Sequence, residues 1–119
     1  MDNSLELCKL AYKALADKKA QDITVLNISG VSVLADYFII ASGDNERQVG
    51  ALCDNVDEVL GRAGHFHRSI EGYTTKNWVL MDYNDVISHV FDRQNRLFYD
   101  LERIWRDGKK VDTADWDQE

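Results

Sequence analysis

Leu5, Cys8, Tyr12 and Leu15 recur at helical spacing near the start of the chain, and Leu7, Ala11 and Ala14 widen the stripe. A helix from about Ser4 to Lys18 is predicted, with Ser4 or Asn3 as its cap. The pattern then changes. Asp22 to Ile28 is rich in β-branched residues and reads as a strand, closed by the turn signal Ser29-Gly30. Tyr37 to Ala41 is apolar on both faces, which predicts a central strand covered on both sides. Val49, Leu52, Cys53, Val56, Val59, Leu60 and Ala63 restore the helical period, with Asp44 placed to cap the start and Gly64 to stop the end. Three further strands follow: His65 to Ile70, Trp78 to Asp82, and Val86 to Asp92. The last two are joined by Tyr83-Asn84-Asp85, where Asn84 tolerates the positive φ of a tight turn. Leu97, Phe98, Leu101, Ile104 and Trp105 mark a final helix over about Arg93 to Arg106.

This order predicts an α/β sandwich: one domain over residues 1–106, with a mixed five-stranded sheet and flanking helices. Short connections make the last three strands antiparallel. Residues 107–119 are polar and acidic and read as a flexible C-terminal tail.

Composition narrows the function. The 119 residues carry a net charge of -7, which argues against a domain whose main task is gripping phosphates. Acidity leaves room for a protein that reaches a nucleic-acid machine through another protein, because it discourages stray RNA contacts. No direct sequence-specific nucleic-acid partner is expected. The two cysteines, Cys8 and Cys53, fall on apolar helical stripes and read as small buried hydrophobes in a reducing compartment. No apolar run approaches a membrane span, and Met1 to Ser4 lacks the basic start of a secretory signal. A cytoplasmic protein with no membrane partner is the expectation.

Candidate chemistry is thin. Ser42, His89 and Asp82 supply the residue types of a hydrolase triad, but no G-x-S-x-G motif surrounds Ser42, and its place before Gly43 and Asp44 is explained by the start of a helix. His65 and His67 alternate on a predicted strand and would share a face, yet no third His or Cys lies near them in sequence. Asp82, Asp85 and Asp92 sit at strand ends, where carboxylates bind magnesium in nucleotidyl-transfer enzymes. Ala41 to Asp44 precedes a helix and is placed to cradle a phosphate, but it lacks the glycine-rich lysine pattern of a phosphate loop. Asp at a turn is also a common local hydrogen-bonding device. No catalytic residue, metal site or cofactor is therefore assigned. A magnesium-dependent nucleotide-binding or nucleotidyltransferase-like enzyme stands as an alternative.

A binding surface is the stronger reading. Trp78, Leu80 and Asp82 share one face of their strand, while Val79, Met81 and Tyr83 share the other. Ile87, His89 and Phe91 alternate with Val86, Ser88 and Val90 on the next. Both faces carry large apolar groups, so one packs on the core and the other is covered by a helix or offered to a partner.

Several segments together resemble the ribosomal silencing factor, or Iojap-like, family. They are Asp36-Tyr-Phe-Ile-Ile-Ala-Ser-Gly43, Arg47-Gln-Val49, Glu71-Gly72, Trp78-Val-Leu-Met-Asp-Tyr83, Asp85-Val86, His89-Val-Phe91 and Arg96-Leu-Phe-Tyr-Asp-Leu-Glu102, followed by Trp105. The resemblance runs from about Asp22 to Trp105, in the family's order and spacing. It implies a nucleotidyltransferase-like fold without the catalytic apparatus. It also implies docking on the large ribosomal subunit through ribosomal protein L-fourteen, blockage of small-subunit joining, and lowered translation. Homodimers are a further implied possibility, and a passive large-subunit assembly factor is the other alternative. Carried over by residue, Trp78, Asp82, Tyr83, Asp85, His89 and Phe91 match the family's hairpin. Trp78 is then the apolar anchor, and Asp82 and Asp85 face basic groups of the partner. Glu71 and Arg47 are secondary candidates. Asn84 stands where members commonly have Gly, and it keeps the turn possible.

Overall fold

The structure is a computed structural model and describes residues 4–30, 33, 35–94, 108–114 and 116. Helix α1 spans Ser4–Asp17 and α2 spans Glu46–Arg62. The strands are β1 (Gln21–Asn27), β2 (Tyr37–Gly43), β3 (Ser69–Glu71), β4 (Trp78–Asp82), β5 (Val86–Asp92) and β6 (Lys109–Lys110). They form one sheet in the order β3-β4-β5-β2-β1-β6. The expected α/β architecture is present with six strands rather than five. Only β2 and β5 run parallel; the other neighbours are antiparallel. The predicted last helix lies outside the described residues, apart from its first two positions, which are helical.

Helices α1 and α2 pack on one face of the sheet. Leu7, Cys8, Ala11 and Leu15 of α1 join Val49, Leu52, Val56 and Leu60 of α2 above Val25, Ile39, Val79, Met81 and Val90. Cys8 and Cys53 are buried here as expected, and burial pushes both thiols up to about 12, so they stay protonated at neutral pH. The opposite face gathers Leu26, Ile28, Phe38, Ile40, Ile87 and Phe91, with Trp78 and Leu80 partly buried against them. Strand β2 is thus buried on both sides, as its unbroken apolar run requires.

Local chemistry explains where the elements stop. After α1, Ala20 N–H donates to Leu15 O and Lys19 N–H to Ala16 O, with Lys19 at φ 63. That is the αL closure usually given to glycine. Helix α2 closes in the same way at Gly64, φ 90, with His65 N–H on Leu60 O. Its cap is Asn45 rather than the expected Asp44: the Asn45 side chain accepts from Gln48 N–H at 2.9 Å.

Two expectations are corrected. Strand β3 covers only Ser69–Glu71, so His65 and His67 precede it and do not share a strand face. The segment after Asp107 is tied to the domain where it is described. Lys109–Lys110 pairs with β1, Val111 N–H donates to Val25 O, and Trp116 is buried edge-on against Tyr12 at 5.3 Å. The backbone groups on the outer side of β1 would otherwise lack sheet partners, and pairing a short strand there satisfies them.

Candidate binding face

Strand register assembles the candidate residues into rows across the face opposite α1 and α2. Glu71 pairs with Leu80, Leu80 with His89, and His89 with Ile40. One row over, Trp78 pairs with Phe91 and Phe91 with Ser42. On the other side Ser69, Asp82, Ile87 and Phe38 line up. Directly paired residues project to the same side, so Trp78, Leu80, Asp82 and Glu71 form one contiguous patch near the β3 edge.

Burial separates this patch from its floor. Glu71 is exposed, and Trp78, Leu80 and Asp82 are half-buried. His89 and Phe91 lie beneath at 3% and 0% exposure. The Trp78 indole stacks on Phe91 with ring centroids 5.3 Å apart and planes 25° apart. Its Nε1–H donates to His89 Nδ1 at 3.1 Å. Phe38 meets the His89 ring edge-on at 4.6 Å. Burial holds the imidazole down at about 4, so it is neutral under ordinary conditions.

Asp82 is fixed differently. Its Oδ1 accepts from Asn84 N–H at 2.8 Å, which braces the β4–β5 turn around Asn84 at φ 72. Its Oδ2 faces Arg68 Nε at 3.7 Å, and that guanidinium is largely solvent-exposed. Gly72 follows β3 at φ 81, and a Cβ there would fall 2.1 Å from the Trp78 carbonyl oxygen.

The other sequence candidates lie elsewhere. Tyr83 points to the helix-covered face, is buried, and donates to Asp57 Oδ1 at 2.8 Å. Burial and that bond raise its phenol well above the ordinary value. Asp57 also meets His67 Nδ1 at 2.8 Å. Asp85 is exposed at the turn and lines a shallow cavity of about 290 Å³ with Tyr83, Leu7 and Phe66. Arg47 is exposed on α2, across the sheet from Trp78. Leu80 was absent from the sequence candidates, although the alternation of β4 already put it between Trp78 and Asp82.

The groups that suggested chemistry are engaged otherwise. A triad histidine would turn Nδ1 to a carboxylate, whereas His89 Nδ1 takes the Trp78 indole. Ser42 is buried within β2. At the start of α2, Asp44 N–H donates to Gln48 Oε1 at 2.6 Å, and Gln48 N–H donates to the Asn45 side chain. The Asp44 carboxylate stands beside them, accepting from Gln21 at 2.9 Å. Amides already capped, with a carboxylate at hand, make a poor phosphate cradle. Among the described residues, no group of three or more His, Cys, Asp or Glu side chains is placed to hold a metal ion. Nor is any described helix long and apolar enough to cross a membrane.

The chain as a whole is similar to known proteins. The family model described as ribosomal silencing factor during starvation matches residues 1–119. A ribosomal silencing factor from Halalkalibacterium halodurans is 40% identical over 107 residues, covering 90% of this chain and 92% of that protein. One from Bacillus subtilis is 36% identical over 110 residues, covering 92% and 93%. An X-ray structure of a Chromobacterium violaceum protein superposes with a TM-score of 0.85 at 39% identity, covering 96% of this chain and 93% of that one.

Proposed function

The chain belongs to the ribosomal silencing factor family, and from that premise we propose that it docks on the large ribosomal subunit through ribosomal protein L-fourteen and keeps the small subunit from joining. It acts by occupying a surface rather than by catalysis, and it does so in the cytoplasm. Family membership is the observation that carries this reading. The patch of Trp78, Leu80, Asp82 and Glu71 supplies its chemistry. A half-buried indole and a leucine give an apolar centre, and two carboxylates give an acidic rim, the arrangement found at protein interfaces. Arg68 holds Asp82 Oδ2 only loosely, so a basic side chain of the partner can displace it at little cost. The net charge of -7 favours approach to a basic ribosomal protein and opposes contact with bare RNA.

Co-sedimentation with isolated large subunits tests the proposal. The wild-type chain is expected to pellet with them and to lower subunit joining when small subunits are added. Trp78→Ala is expected to weaken binding by about 30-fold or more, as loss of an interface anchor does. Absence of wild-type binding would refute the docking reading. Binding with undiminished subunit joining would instead indicate a passive assembly factor.

A further inference from the structure

His89 is the one imidazole placed deep in the face opposite α1 and α2, and among the described residues its ring carries an unsatisfied donor. The Trp78 indole can only donate, so His89 Nδ1 is its acceptor and the ring proton sits on Nε2. That Nε2 is buried without a hydrogen-bond partner among the described residues. A buried orphan N–H is unfavourable, and phenylalanine would fill this apolar site without one. Packing alone therefore does not account for a histidine between Phe38 and Trp78. What histidine adds is the Nδ1 acceptor.

Resting on the docking reading above, we propose that His89 is a positioning residue: it does not meet the partner, and it holds the Trp78 indole in its docking orientation from below. Two constraints converge on the Trp78 indole: Phe91 stacks against its ring, and His89 fixes its polar edge. A large side chain ordered before binding loses less freedom when the partner arrives, and that saving appears as affinity. At 3% exposure His89 contributes through this bond rather than through contact.

The test compares two substitutions in the full chain. His89→Phe keeps an aromatic ring and removes the acceptor. His89→Asn leaves a cavity but returns an oxygen near the position of Nδ1. Two readouts are followed: affinity for isolated large subunits by co-sedimentation, and solvent exchange of the Trp78 indole N–H by NMR, its resonance identified by its loss in Trp78→Phe. His89→Phe is expected to stay folded, to exchange its indole proton at least about tenfold faster, and to bind about tenfold more weakly. His89→Asn is expected to be less stable yet to keep slow exchange and to bind within about threefold of wild type. Positioning thus predicts that affinity follows the indole bond, and a purely structural role predicts that it follows stability. Wild-type affinity in His89→Phe would overturn the proposal, as would affinities that fall in the order of lost stability. If wild-type protein fails to bind large subunits, the docking reading falls and the positioning role with it. The exchange data would still report separately whether His89 holds the indole.

Discussion

Trp78 and Tyr83 lie five residues apart on one hairpin and face opposite sides of the sheet, and each has its polar tip held by a different kind of partner. Tyr83 is buried under the helices, and its hydroxyl donates to Asp57 of α2. That bond ties sheet to helix, and its acceptor also has His67 and solvent to keep it satisfied. Trp78 is half-buried on the opposite face, and its indole donates to a neutral histidine on the neighbouring strand. That bond ties a half-buried side chain to the buried floor beneath it. The bond on the α1–α2 face holds helix to sheet, and the bond on the opposite face holds one side chain still. Both faces are apolar, so the difference lies in what the polar atoms are made to do.

The largest effect separating the faces is expected in the helix-covered core. Leu52→Ala removes a fully buried side chain and should cost about 2–5 kcal/mol, read as a lower urea midpoint at unchanged slope. Large-subunit affinity of the molecules that remain folded should be unchanged. Loss of affinity beyond the unfolded fraction would mean that the two faces are not separable.

Acid should act from the face that holds His89. Burial lowers the folded-state value of His89 from 6.5 to about 4. The unfolded chain therefore binds a proton as pH falls below 6.5, while the folded chain resists until about 4. Stability from the neutral ring is complete above 6.5 and is lost through that window, at up to about 1.4 kcal/mol per pH unit and about 3 kcal/mol in all. Urea midpoints measured against pH should show this slope in wild-type protein and lack it in His89→Phe. Parallel curves for the two proteins would contradict the burial assigned to His89.

Much of this arrangement was legible in the sequence. Helical periodicity found α1 and α2, and the double-sided apolar run at Tyr37 to Ala41 marked the central strand. Alternation along β4 and β5 sorted Trp78 from Tyr83 before any contact was known. Harder to read was anything decided by partners distant in sequence. Lys109–Lys110 has no apolar alternation to mark a strand, and it is one because β1 offers it backbone partners. Tyr83, His89 and Phe91 match the family hairpin as well as Trp78 does, but motif matching does not distinguish a surface from the floor beneath it. The role of His89 depends on which ring nitrogen meets the indole, and no spacing rule encodes that.

Gly72→Ala probes the frame around Trp78. The added methyl would meet the Trp78 carbonyl, and φ 81 is unfavourable for alanine. A stability loss of about 1–3 kcal/mol is expected, with affinity falling further because the anchor itself must move. Stability lost without any change in affinity would show that docking tolerates a displaced indole.

Tyr83→Phe makes the smallest change and the sharpest distinction. It deletes the hydroxyl that reaches Asp57 while keeping the ring. Asp57 stays paired with His67 and is open to water, so the cost should be near the low end for a hydrogen bond to a charged group, about 1–1.5 kcal/mol in thermal or urea unfolding. Affinity for large subunits should stay within about twofold of wild type, because Tyr83 faces away from the Trp78 patch. A marked loss of docking with this modest loss of stability would move the interface toward the turn at Asp85 and the cavity beside it. Tyr83 would then rejoin the contact residues that the hairpin motif suggested, and the division between a structural face and a docking face would no longer follow the plane of the sheet.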